Sequence, residues 1–195
     1  LIVDEGDPFN ELLNKKSINN IKSSGLFSLV EFEVTESKDK SRKIMDIFVE
    51  EKPSGEISAG AGVGTSGSTI TLGVSEANFN GKGIKTNTNI NIGSNTINGG
   101  LSFVIPNYKY SNNTLNGDIS RTVTDLLTTS GYKNSSNRVA FGTAYEQKQN
   151  LFFSPTIVVN YEELETSTIA SSALKKQAGD YYDMNLNYAI MYDQR

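Results

Sequence analysis

The sequence predicts a mainly β protein: about eight antiparallel meander strands of the kind that form a transmembrane β-barrel, preceded by a partial α+β unit. Three observations predict it. From Ile57 onward, stretches of roughly ten residues alternate apolar and polar, with a turn after each. The polar parity is rich in Gly, Asn, Ser and Thr, so such a sheet has one greasy face and one face suited to water. Residues 1–52 read differently, as helix, strand, turn and strand.

In the first unit, Asp7-Pro8 fits an N-cap and first helical position. Phe9 and Leu13 lie one turn apart, as do Ile18 and Ile21, and Gly25 supplies a stop. The spacing predicts a helix over 8–24. Val30, Phe32 and Val34 alternate with Glu31 and Glu33 in a half-buried strand, residues 37–42 form a turn, and Met45, Ile47 and Val49 mark a second strand over 43–51. Lys52-Pro53-Ser54-Gly55 is the boundary. A unit of this size buries little surface alone.

Eight strands follow, over 56–64, 68–77, 83–94, 96–105, 114–127, 137–148, 150–163 and 180–193. Residues 65–68 and 94–95 are short turns, while 78–83, 106–113, 128–136 and 165–179 are longer connections. On the first strand Ile57, Ala59, Ala61 and Val63 share one parity, which is expected to face outward. Phe153, Ile157, Val159 and Tyr161 share another, as do Met184, Leu186, Tyr188, Ile190 and Tyr192, opposed by Asn185 and Asn187. Tyr at strand ends suits a membrane interface. The same alternation also describes the inward face of a soluble sandwich.

Composition narrows the function. The 195 residues carry 18 basic and 22 acidic side chains, a net charge of -4, which disfavours nucleic acid as a partner. There is no Cys and no His, so the commonest metal ligands and general base are missing. No nucleophile motif occurs, and Thr65-Ser66-Gly67 reads as a hairpin turn. An enzyme is the least expected class, and no catalytic residue, metal site or cofactor is assigned. No apolar run reaches the ~20 residues of a transmembrane helix. The chain opens at Leu1 and stops at Arg195 directly after a strong strand, so a piece of a longer polypeptide is expected.

Several segments together resemble a known family. Gly6-Asp7-Pro8-Phe9-Asn10 leads to Ser24-Gly25-Leu26-Phe27, then Val30-Glu31-Phe32, then Val49-Glu50-Glu51-Lys52-Pro53. This series resembles the end of the final POTRA domain of the BamA family, the outer-membrane protein assembly factors. Gly55-Glu56-Ile57-Ser58 through Gly60-Ala61-Gly62-Val63-Gly64 resembles the family's first barrel strand, with Val63 where Tyr is common. Glu76-Ala77-Asn78-Phe79-Asn80-Gly81-Lys82-Gly83 resembles the second strand and its turn, and Tyr192-Asp193-Gln194-Arg195 the start of a later strand-end motif. The likeness is close over 5–84 and loose afterwards. The family's Arg-Gly-Phe loop motif and closing strand are not in this chain.

The resemblance implies that residues 1–53 are the C-terminal part of a POTRA-like periplasmic domain. It implies that 54–195 are the N-terminal half of a sixteen-strand outer-membrane barrel, standing as an open half-barrel. It further implies folding and insertion of β-barrel proteins without ATP or cofactor. The partners implied are outer-membrane lipids, unfolded β-barrel clients, periplasmic chaperones and accessory lipoproteins. Client strands would dock by backbone pairing on Glu56, Ile57, Ser58, Ala59, Gly60, Ala61, Gly62, Val63 and Gly64. Those glycines could instead only relieve crowding where a barrel curves. Other classes stay open: a passive channel, a POTRA–barrel translocator of autotransporter assembly or two-partner secretion, and an adhesive surface protein soluble without detergent.

Overall fold

A computed structural model describes residues 5–39, 42–64 and 67–193. The chain divides into two compact units, Leu1–Ser54 and Gly55–Arg195.

In the first unit, α1 (Glu11–Ser23) packs on a hairpin of β1 (Phe27–Glu36) and β2 (Lys43–Glu51). The helix starts later than the Asp7-Pro8 signal predicts. The Asn10 side-chain oxygen is the cap, accepting from the amides of Leu12 at 3.0 Å and Leu13 at 3.1 Å. A carboxamide three residues downstream of Asp7 satisfies those orphan donors, so 8–10 stay extended. Gly25 takes φ +73° and ends the helix, as its position predicts. The buried helix face is Asn14, Ser17 and Ile18, whereas Phe9 and Leu13 remain exposed. Val30 is buried opposite Val49, Phe32 lies opposite Ile47, and Val34 opposite Met45. The Lys43 ammonium sits 4.4 Å from the centre of the Phe9 ring.

The second unit is one antiparallel meander. Its strands are β3 (Gly55–Gly64), β4 (Gly67–Phe79), β5 (Ile84–Gly93), β6 (Thr96–Ile105), β7 (Thr114–Leu126), β8 (Tyr132–Lys148), β9 (Leu151–Thr166) and β10 (Gly179–Tyr192). Each pairs with its sequence neighbours, in the order β10-β9-β8-β7-β6-β5-β4-β3. No ladder joins β3 to β10 among the described residues, so the sheet is open. Connections 94–95, 127–131 and 167–178 leave one end, called distal here. Connections 80–83, 106–113 and 149–150 leave the proximal end, where β3 begins. The expected 65–68 turn lies partly outside the described residues, at Thr65 and Ser66, as do Gln194 and Arg195 of the terminal motif.

Two boundaries differ from the sequence reading. β8 begins at Tyr132, because 132–136 pair with β7 and β9. This segment is polar on both faces, so it shows no alternation to read. The 167–178 connection contains a short helix α2 (Ser172–Gln177), capped by Ser171, whose hydroxyl accepts from the Leu174 amide at 3.2 Å.

Within the second unit all eight strands belong to one sheet, so this unit is not a two-sheet sandwich. The apolar parity is the open side. Ile157 and Val159 are 44% and 45% exposed, while Val158 between them is 7% exposed. Sheltering of the polar parity marks it as the concave face. The outward row Ile57-Val74-Thr88-Leu101-Ile119-Val139-Val159-Met184 runs unbroken through all eight strands.

The apolar band crosses these rows at a slant. On β3 it centres near Gly60, and on β10 near Tyr188. Gly60 is in register, strand by strand, with Tyr181. The band therefore shifts by about seven residues over seven steps, roughly one residue per strand. With ~3.4 Å along a strand and ~4.8 Å between strands, that is a tilt of about 35°. Transmembrane barrels tilt their strands by ~35–45° to keep such a band level in the bilayer. No helix among the described residues is long and apolar enough to cross a membrane, which says nothing of crossing by strands.

Candidate functional site

The residues predicted to dock a client, Glu56 to Gly64, all lie on β3. Every one of the ten residues of this strand is exposed. One side is hydrogen-bonded to β4, with Ile57 opposite Val74, Ala59 opposite Leu72 and Ala61 opposite Ile70. The other side has no strand partner among the described residues. Ile57, Ala59, Ala61 and Val63 lie on the outward face, while Glu56, Ser58, Gly60, Gly62 and Gly64 fall on the concave parity.

The glycines shape this edge. A Cβ built on Gly60, Gly62 or Gly64 would meet nothing within 4 Å. Crowding therefore does not demand glycine at these three positions. Opposite Gly60 and Gly62 stand Thr71 and Thr69, so the hairpin lacks cross-strand side-chain contacts at both levels. At Gly73 the situation differs, since a Cβ would stand 2.5 Å from the Ser58 hydroxyl. There a side chain would force the Ser58 hydroxyl to turn aside, while the backbone leaves room.

The concave face is tied by polar pairs between adjacent strands. Thr71 Oγ1 donates to Asn91 Oδ1 at 2.7 Å, Asn98 Nδ2 to Thr122 Oγ1 at 2.8 Å, and Ser136 Oγ to Asn160 Oδ1 at 2.8 Å. Asn134 Nδ2 donates to Glu162 Oε1 at 2.8 Å, and the Arg138 guanidinium pairs with Asp118. These residues suit a hydrated surface rather than an apolar core. Among the described residues no cluster of acidic side chains could hold a metal ion.

On the outward face, aromatic rings gather at both ends of the later strands. Tyr161 and Tyr182 lie 4.7 Å apart toward the distal end, while Tyr145 meets Phe153 edge-on at 5.8 Å toward the proximal end. That placement is the one an aromatic girdle takes at the two membrane boundaries.

No family model matches this chain, and no curated protein matches it in sequence. Its coordinates superpose on a crystal structure of BamA from Haemophilus ducreyi lacking POTRA domains 1-3, with a TM-score of 0.72 over 96% of this chain at 18% identity. The chain has a BamA-like fold. It spans 38% of the length of that BamA chain. The open sheet of eight strands is the BamA-like part of a barrel, and the meander order agrees with the barrel portion expected from sequence.

The second free edge expected of an open half-barrel is β10: all fourteen of its residues are exposed, and its far side is unpaired among the described residues. Sequence reasoning passed over Arg121, a charge on the outward face of β7, in a segment whose Ser and Thr content reads simply as polar.

Proposed function

We propose that this chain belongs to an outer-membrane insertase that folds and inserts β-barrel proteins, and that β3 is the exchangeable edge on which a client strand docks. In this reading residues 1–53 are the end of a POTRA-like domain in the periplasm, and 54–195 the first half of the barrel. No catalytic residue, metal or cofactor takes part. Unfolded β-barrel clients pair with β3, outer-membrane lipids contact the apolar face, and chaperones and accessory lipoproteins deliver or organise the substrate.

The observation that carries the reading is the make-up of the β3 edge: of the two exposed edge strands among the described residues it is the Gly-rich one, with open space at Gly60, Gly62 and Gly64. The BamA-like fold supports the class. Physically, an unpaired backbone N–H or C=O costs several kcal/mol in hydrocarbon. A nascent strand entering a bilayer therefore gains from a preformed edge, which supplies backbone partners without asking for a particular sequence. A Gly-rich strand adds few side-chain contacts to its backbone bonds, here mainly the pairs of Ile57, Ala59 and Ala61 with β4, and so can release its neighbour.

The test is site-specific photocrosslinking in the intact protein, reconstituted in liposomes. A crosslinker at Ala59 or Ala61 should capture a client during insertion, and one at Ile119 in mid-sheet should not. Equal capture at both places would reject the edge. The Asn-, Ser- and Thr-rich concave face also suits a water-filled passage. Steady conductance in planar bilayers with no client insertion would favour the passive channel.

A further inference from the structure

Arg121 is a cation set inside the apolar band of the outward face. Its row reads Ile90-Gly99-Arg121-Asn137; Leu72 and Ile90 are directly opposed in the register of β4 and β5. One row further toward the distal end stands Ile92-Ile97-Val123. Along its own strand the guanidinium thus has Ile119 on one side and Val123 on the other. It is exposed, and among the described residues no carboxylate pairs with it. Lys133, also on the outward parity of the sheet, is by contrast paired with Glu165 at 3.7 Å.

Beside Arg121 the surface is indented. Gly99 carries no side chain, and a Cβ there would meet nothing within 4 Å. The resulting dent is about 420 Å³, bounded by Ile90, Leu101, Ile119 and Arg121 with Asn137 at its rim.

We propose that Arg121 holds the phosphate of an anionic membrane lipid, one acyl chain of which lies in the dent over Gly99. This rests on the reading that the apolar face meets lipid. A guanidinium stays charged at any working pH, so it cannot escape the hydrocarbon by losing its proton. It must reach the boundary or acquire an anion, and apolar rows flank it on its strand. A phosphate matches its forked donors. The Asn137 carboxamide on the next strand adds a donor at the same level, and the dent accepts a chain that a continuous row of large side chains would exclude. An anionic lipid supplies both parts in one molecule.

The experiment uses the intact protein in neutral detergent, with phosphatidylglycerol as the probe and zwitterionic phosphatidylcholine as the reference, read by native mass spectrometry. Wild type should retain phosphatidylglycerol in preference. Arg121→Leu, which places an apolar group on a lipid-facing position, should lower that preference about five-fold or more. Arg121→Lys should keep part of it, and Lys133→Leu should leave it unchanged. Equal preference in wild type and Arg121→Leu overturns the proposal while leaving the membrane reading intact. A protein that stays monodisperse without detergent and binds neither lipid overturns both.

Discussion

Gly131 and Ala170 touch across two distal connections: a Cβ added to Gly131 would stand 2.5 Å from the Ala170 nitrogen. Around this contact the Ser167 amide donates to the Gly131 carbonyl at 2.8 Å, and Ala170 is buried. Gly131 also takes φ +79°, where a side chain is strained. Gly131→Ala should therefore destabilise this end by about 1–3 kcal/mol. Limited proteolysis should show 167–178 cut faster in the variant. Gly64→Ala, at an open position, serves as the control and should leave the cleavage rate unchanged.

Gly60→Val with Gly62→Val should slow client insertion while the protein remains folded. Neither Cβ meets an obstacle, and each Val gains a cross-strand contact, opposite Thr71 or Thr69. Such pairs contribute roughly 0.2–1 kcal/mol each, enough to hold β3 to β4 more firmly. Insertion kinetics in reconstituted liposomes provide the measurement. Wild-type rates in a correctly folded variant would argue that the glycines have no part in exchange.

Asn10→Ala should cost about 1 kcal/mol of helix stability. The loss is local, because the Asn10 carboxamide serves the amides of Leu12 and Leu13. Hydrogen exchange of those two amides should accelerate, while amides of β1 keep their protection. Unchanged exchange at Leu12 and Leu13 would mean that water replaces the cap without loss.

Glu11 and Lys15 set a weak pH dependence on the same helix. The Lys15 ammonium hydrogen-bonds the Glu11 carboxylate at 2.7 Å, and that bond, with the ammonium charge, holds the Glu11 carboxyl below its ordinary range. A lowered folded-state value means the contribution is complete above the unfolded-state value and is lost as pH falls through the folded one. Acidification should fray the first turn of α1, and Glu11→Gln should remove that response. An NMR titration of the Glu11 carboxyl gives the direct reading; a midpoint at the ordinary glutamate value would contradict it.

Much of the sheet was legible because an apolar face and a polar face impose opposite demands on neighbouring residues. Where both demands act, as from Ile57 to Val63 or along 184–192, alternation marks the strand and its faces. Where only water acts, the signal vanishes. That is why Lys133, Asn134, Ser135 and Ser136 read as loop although they extend β8. The α1 start was misplaced because Asp7-Pro8 and Asn10 are both plausible caps, and the geometry of the carboxamide decides between them. The β3 residues proposed to dock a client could be named from sequence, but the emptiness beside Gly60 and Gly62 needs coordinates. Arg121 carries no signal in the sequence, because a charge among Ser and Thr looks ordinary until the register sets Ile97 and Val123 beyond it.

The slant of the apolar band works like a vernier scale. Each added strand must place its own apolar centre one notch further along to stay level with the bilayer. A segment arriving at the free side of β3 is in phase only when its centre falls opposite about Ala61, a step beyond the Gly60 centre of β3 itself. A segment slipped by one residue turns its polar parity to the hydrocarbon, and one slipped by two keeps its parity but sits out of level. On the proposed reading, an edge that binds mainly through its backbone would thus still discriminate among incoming strands, with the thickness of the membrane acting as the ruler.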